Sequence, residues 1–373
     1  MFNIQVKGQH SRRVFLFACL LFFVLSSNAQ SYKIQVDSVN GSKQQFYTAD
    51  NAMIQYTGRI DFSNTAMPRM WSPGVYITMQ FKGPSISAII KDQELWGKDH
   101  NYLEVVIDNN ERRIQTKYKT NYISVSGLTD GIHTLLICKN TESNIGYIEL
   151  GGVYCDKLLK PAPKQAHKIE FIGNSITCGA SSDASEIPCG KGVWQDQHNA
   201  YMAYGPVTAR ALHAQWHLSS VSGIGLIHSC CNMNIIMPPV FDKIEMRGDS
   251  IPWDFKKYQP DVVTVCLGQN DGIQDSATFS NAYISFVKQL RKYYPKAQLV
   301  LLTSPMADEK LKTFLKAQIT AVVNFFTASG DKKIDKYFFS RSYNGGCDYH
   351  PSLEEHQLIA SELTAYLKRL MRW

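Results

Sequence analysis

Apolar and β-branched residues recur in short runs along the first part of the chain, at 75–79, 86–90, 102–107, 122–125 and 133–137. Gly83-Pro84, Asp108-Asn109-Asn110 and Asp130-Gly131 stand between them, residue types that favour turns for backbone reasons. Short strands at this spacing predict an antiparallel sandwich, and no long helical period interrupts it. Pro161-Ala162-Pro163 marks the edge of the region. Beyond it the period alternates. Residues 169–172, 262–267 and 299–302 read as strands, the second a nearly unbroken apolar run. Residues 199–214, 279–294 and 308–327 have helical periodicity. A last helix follows Pro351, with Leu358, Ile359, Leu363, Leu367 and Leu370 on one stripe. Strands apolar on both faces, alternating with helices, predict a parallel sheet covered by helices. The expected architecture is an all-β, jelly-roll-like sandwich over 30–160 and an α/β domain over 161–373.

Residues 1–29 are set aside from the fold. Lys7, Arg12 and Arg13 precede a 12-residue apolar run at 14–25, and Ser27-Asn28-Ala29 offers small residues for cleavage. This pattern predicts a signal peptide, too short for a stable membrane span, and therefore a secreted or periplasmic protein. The leader holds three of the 39 basic residues and no acidic one, so the mature chain carries 36 basic against 32 acidic side chains. That balance is mild and no dense basic run follows, so nucleic acid is not an expected partner. Eight cysteines remain after cleavage, and export permits disulfides. A Cys178–Cys189 bridge would staple the Gly/Ser-rich loop between them, although spacing alone does not define connectivity. Cys266, inside an apolar run, reads as a buried thiol. No Cys/His cluster has zinc-ligand spacing, and neither a metal nor a cofactor is expected.

Three loops of the α/β part carry candidate chemistry, because ligands of open parallel sheets bind beyond the carboxyl ends of the strands. Gly173-Asn174-Ser175-Ile176-Thr177 follows a strand directly. A glycine there lets the Ser175 hydroxyl project from a tight turn, and a serine beside a base is a nucleophile. The bland reading is a helix-capping serine. Gly268-Gln269-Asn270-Asp271-Gly272 follows the apolar strand, and Asn270 there can donate to a developing oxyanion. Its bland reading is a polar turn. Cys347-Asp348-Tyr349-His350-Pro351-Ser352 precedes the final helix. His350 is a candidate general base and Asp348 its orienting acid, as in a catalytic triad; the bland reading is a surface histidine.

Taken in order, the Gly-Asn-Ser start, the Gly-x-Asn-Asp block and the late Asp-x-His-Pro resemble the SGNH branch of the GDSL hydrolases, with Asn174 in place of the usual Asp. That resemblance implies an oxyanion hole of the Ser175 amide, a second-block glycine and Asn270. Gly223 in Ser222-Gly223 matches the second block, with Gly225 two residues on as the alternative. A narrower resemblance, to carbohydrate esterase family two, covers nearly the whole mature chain. It is carried by the order of sandwich and SGNH domain and by Thr57-Gly58-Arg59, Trp71-Ser72-Pro73-Gly74, Gly173 to Gly179, and Trp253-Asp254-Phe255. It implies a serine esterase that removes O-acetyl groups from xylan, mannan or related carbohydrate. As the alternative to the triad it implies a Ser–His dyad, in which a backbone carbonyl before the histidine, assigned to Tyr349, replaces the Asp348 acid. Trp253, Tyr343 and Tyr349 are candidate sugar platforms. The competing readings are a lipase or thioesterase of the same branch and a catalytically inactive carbohydrate-binding protein; fold alone barely separates them.

Overall fold

The computed structural model describes residues 1–3, 32–97, 99–248 and 251–373, so the leader assigned to 1–29 lies outside the described residues but for Met1, Phe2 and Asn3. From Lys33 to Leu159 the chain forms an antiparallel sheet of eleven strands that folds over on itself. Its spine is the 17-residue strand Tyr76–Asp92, which the sequence pattern divides in two at Gly83-Pro84. The strand continues through that dipeptide with Ile148–Leu159 beside it before and after, but along its other edge it changes partner there. Residues up to Lys82 pair with Ile132–Lys139, and residues from Ser85 pair with Thr120–Ser126. Proline donates nothing to a ladder, so it suits the corner where one strand passes between two layers. Ile77, Met79, Phe81, Ile86, Ala88 and Ile90 point from this strand into one buried core.

The second half is a five-stranded parallel sheet in the spatial order Ala214–Ser220, His167–Gly173, Val262–Cys266, Gln298–Leu302, Ile334–Tyr337. In chain order this is 2-1-3-4-5, so the winding reverses between the first and third strands. The loops after those two strands open a crevice, the usual ligand position of such sheets. They are the loops that carry Ser175 and Asn270. Helices Ser276–Tyr293 and Glu309–Ala328 begin where Asp275 and Asp308 accept hydrogen bonds from the Thr278 and Leu311 amides. The final helix, Leu353–Met371, is entered through a capping box of Ser352 and Glu355.

Three expectations needed adjustment. The helix expected over 199–214 is shorter, Tyr204–Ala211, because the segment's end is already the edge strand Ala214–Ser220. All seven residues of that strand are buried, although Gln215, His217, Ser219 and Ser220 are polar and mask its pattern. Strand Ile334–Tyr337 also escaped the pattern, being four residues long. Leu358 lies off the buried stripe of the last helix and is 45% exposed. His356 takes its place in the core, donated to by the Tyr204 amide at 3.1 Å. Burial pushes its imidazole down to about 3, so it packs as a neutral ring.

The two sheets are locked together by the segments that carried the narrower resemblance. Arg59 donates to Glu170 of the parallel sheet at 3.0 Å and to the Lys243 carbonyl at 2.8 Å, with both side chains of the pair buried. Losing one partner of such a pair costs about 3–5 kcal/mol, because the other charge stays buried and unpaired. Trp216 Nε1 donates to the Gly74 carbonyl at 2.9 Å, and a Cβ at Gly74 would run into Leu218. Gly58, at φ +126°, lies so close to Val75 that no side chain fits.

Candidate active site

Strand His167–Gly173 ends in a four-residue helical turn, Ser175–Cys178, with Asn174 as its cap and Gly179 closing it in the left-handed conformation. A Cβ at Gly173 would overlap Thr177 Oγ1, so only glycine allows the turn to close this tightly. Thr177 Oγ1 is in turn bonded to Tyr204 OH at 2.9 Å, which ties the turn to the helix behind it. The hydroxyl of Ser175 donates to His350 Nε2 at 2.8 Å across 175 residues of sequence.

The other ring nitrogen of His350 lies 3.0 Å from the backbone carbonyl oxygen of Asp348. A carbonyl only accepts, so Nδ1 must carry the proton and Nε2 presents its lone pair to Ser175. The atom that Asp348 offers the ring is thus its carbonyl and not its carboxylate. The carbonyl assigned to Tyr349 in the dyad reading belongs to the residue before it. Asp348 and Tyr349 both adopt left-handed backbone, φ 48° and 58°, and two such residues in a row curl the chain back under the ring. The curl is held from outside: the Gly346 amide donates to the His350 carbonyl at 2.7 Å, and the Cys347 amide to the Ser181 carbonyl at 2.9 Å. Asparagine tolerates left-handed backbone well. Asp348→Asn should therefore keep kcat within about tenfold of wild type, against the roughly 10⁴-fold loss expected when a true triad acid is neutralised. Steady-state ester hydrolysis checks this, and a loss of the larger size would restore the carboxylate to the mechanism.

Of the two second-block glycines, the backbone favours Gly223 as a donor. The Gly225 amide already donates to Ser229 Oγ at 3.0 Å. In the turn before it, the Ser222 amide donates to Glu142 and the Ile224 amide to Val221. The Gly223 amide has no acceptor among the described residues, and neither has that of Ser175. Asn270 Nδ2 donates to the Ile224 carbonyl at 2.8 Å, which uses one of its two hydrogens and aims the amide. Its neighbour Asp271 accepts from the amides of Leu226, Ile227 and His228 and so pins the rest of that loop.

The three proposed sugar platforms separate. Tyr349 is 79% exposed beside His350. Trp253 and Tyr343 are 7% and 2% exposed and offer no face to a sugar. Trp253 packs beside His217 and under the Arg59 guanidinium, in the seam between the sheets. Tyr343 is a core residue whose hydroxyl donates to Glu362. The Cys178–Cys189 pairing is likewise corrected. Cys178 is a fully buried thiol at the end of the Ser175 turn, bonded to Ser220 Oγ at 3.2 Å. Cys189, on an exposed loop, is bridged to Cys347 and thereby fastens that loop to the histidine turn; Cys230 and Cys231 form a second bridge. Among the described residues no group of three or more His, Cys, Asp or Glu could hold a metal ion, and no helix is long and apolar enough to cross a membrane.

A 2-1-3-4-5 parallel sheet with a serine after its first strand, an asparagine after its third and a histidine before its last helix defines an SGNH-type ester hydrolase. The comparisons narrow that class. Residues 171–357 match the model of the GDSL-like lipase/acylhydrolase family, and residues 56–164 that of the carbohydrate esterase 2 N-terminal domain. The solved structure of a family two carbohydrate esterase from Clostridium thermocellum, in complex with cellohexaose, superposes with a TM-score of 0.79 at 31% identity, covering 86% of this chain and 99% of that one. The chain is 33% identical over 344 residues to the cellulase/esterase CelE of Acetivibrio thermocellus, a match that takes in 87% of this chain but 40% of CelE. It is 27% identical over 317 residues to an acetylxylan esterase / glucomannan deacetylase of Cellvibrio japonicus, over 80% of this chain and 84% of that protein. The chain belongs to the family two carbohydrate esterases.

Proposed function

We propose that this chain removes O-acetyl groups from plant polysaccharides such as xylan and glucomannan through an acetyl-enzyme formed on Ser175. The observation that carries the reading is the 2.8 Å contact from Ser175 Oγ to a His350 nitrogen whose partner nitrogen is held protonated. Ser175 Oγ attacks the acetyl carbonyl as its proton passes to His350 Nε2. The amides of Ser175 and Gly223 and the side chain of Asn270 take the charge of the tetrahedral oxyanion. As that intermediate collapses, the bond to the sugar oxygen breaks and His350 returns the proton to it. A water, deprotonated by the same nitrogen, then releases acetate and restores the serine. Tyr349 provides the exposed aromatic face on which the sugar ring rests. The signal-peptide pattern expected over 1–29 and the Cys189–Cys347 bridge support action outside the cytoplasm, where disulfides persist.

Acetate release from acetylated xylan and acetylated glucomannan tests the substrate class, run beside nitrophenyl esters of increasing chain length. Release from either polysaccharide together with a preference for the acetate ester supports it. Preference for the octanoate ester with no release from polysaccharide would move the assignment to lipid acyl esters.

The base also sets the pH profile. Burial lowers the His350 pKa below the ordinary imidazole value of 6.5; the Asp348 carbonyl opposes this, and nearby His198 adds to it. A depressed pKa keeps the ring neutral, and so able to accept a proton, further into acid. The acid limb of kcat/KM should therefore have its midpoint below pH 6.5. A midpoint above that value would mean that the ring is stabilised as a cation in the free enzyme, contrary to this site.

A further inference from the structure

Glu142 belongs to the antiparallel half of the molecule, just beyond strand Ile132–Lys139, yet it is buried to 1% exposure against the parallel half. One carboxylate oxygen accepts from the Ser222 amide at 2.7 Å and the other from the Ser222 hydroxyl. His198 Nε2 lies 3.5 Å from the Glu142 carboxylate oxygen that takes the Ser222 hydroxyl. Its own backbone is held by Lys139, whose buried ammonium donates to the Thr141 and Glu142 carbonyls at 2.7 and 3.1 Å. Ser222 is the residue before Gly223. Its carbonyl accepts from Arg247 at 3.1 Å, and the Gly223 carbonyl accepts from the Cys230 amide at 2.9 Å. Every polar backbone group around the Gly223 amide is thus clamped, and the strongest clamp, a carboxylate gripping one residue twice, comes from the other sheet.

We propose that Glu142 is a positioning residue for ester hydrolysis: from the antiparallel domain it fixes the Ser222-Gly223 turn, and with it the direction of the Gly223 amide. The role rests on the reading of Gly223 as an oxyanion donor. It gives the antiparallel domain a part in turnover apart from any contact with sugar. Burial would raise the Glu142 pKa, but His198 and the Ser222 bonds outweigh it and bring it down to about 2, so the clamp is ionised throughout the working range. Displacing a catalytic group by about 1 Å is enough to lower turnover on the order of a hundredfold. Glutamine matches the shape of glutamate but replaces one acceptor oxygen with a donor and removes the charge.

The test is steady-state hydrolysis of 4-nitrophenyl acetate by wild type, Glu142→Gln, Ser222→Ala and Ser175→Ala, with thermal melting of each. Glu142→Gln is expected to lose about tenfold to a hundredfold in kcat with KM within threefold, and its labelling by a fluorophosphonate, which uses the same hole, to slow in parallel. Ser222→Ala, which removes only the hydroxyl half of the clamp, should lose about fivefold in kcat per folded molecule, with a modest fall in melting temperature from the carboxylate oxygen left without its partner. A purely structural role would lower the melting temperature and leave kcat per folded molecule alone. Wild-type kcat in a folded Glu142→Gln protein overturns the proposal while leaving the esterase reading intact. If Glu142→Gln does not fold, an unaltered kcat in Ser222→Ala overturns it. Wild-type turnover that survives Ser175→Ala removes the nucleophile assignment, and the role of Glu142 with it.

Discussion

Replacing Ser175 by alanine should lower kcat by at least about 10⁴-fold on both nitrophenyl acetate and acetylated polysaccharide. The size follows from what is removed. In the proposed mechanism the Ser175 hydroxyl, paired with His350 Nε2 at 2.8 Å, is the group that forms the covalent bond to the acyl carbon. Without it, hydrolysis depends on a water that nothing orients, and only the oxyanion donors and substrate binding still contribute. The fold should not change. Ser175 opens a short helical turn, where alanine is well tolerated, and among the described residues its hydroxyl is bonded to His350 alone. KM and melting temperature should therefore stay near wild type, and fluorophosphonate labelling should vanish. A folded Ser175→Ala protein that keeps even a hundredth of wild-type turnover would mean that another residue performs the attack.

The second large effect is expected at Asn270. Asn270→Ala should lose about 10²–10³-fold in kcat with little change in KM, because the lost donor serves the tetrahedral intermediate far more than the ground-state ester. The same change also strips a partner from the Ile224 carbonyl, at a stability penalty of about 1–3 kcal/mol. A lower melting temperature alone is therefore not evidence of a catalytic role. Asn270→Asp separates the two effects. It keeps volume and shape, yet a carboxylate donates nothing and repels the developing oxyanion, so it should lose at least as much turnover as alanine. Near-normal kcat in either folded variant would remove Asn270 from the hole.

Much of this site was legible in the sequence because its parts are local. A strand is announced by its apolar run and its end by glycine, and the crevice of an open parallel sheet lies where such strands end. Ser175, Asn270 and His350 could thus be placed on loops before their distances were known. The readings that failed asked which distant surface covers a side chain. Trp253 and Tyr343 look like sugar platforms by residue type, but Arg59 and Glu362 lie far away in sequence and close against them in space. His356 broke the expected stripe of the last helix, because a histidine that gains a backbone donor can be buried neutral where a leucine was anticipated.

By itself the sequence determined the succession of an antiparallel and a parallel sheet and the positions of the three loops that carry Ser175, Asn270 and His350. These follow from hydrophobic period and turn chemistry, which act over a few residues. The tertiary structure alone decided the rest. It decided that His350 is oriented by a carbonyl, since that depends on two successive left-handed residues. It paired Cys189 with Cys347, 158 positions apart, and left Cys178 a buried thiol. It also brought Glu142 to Ser222 across 80 residues. Contacts of that separation arise from how two sheets pack, and no short-range pattern along the chain encodes them.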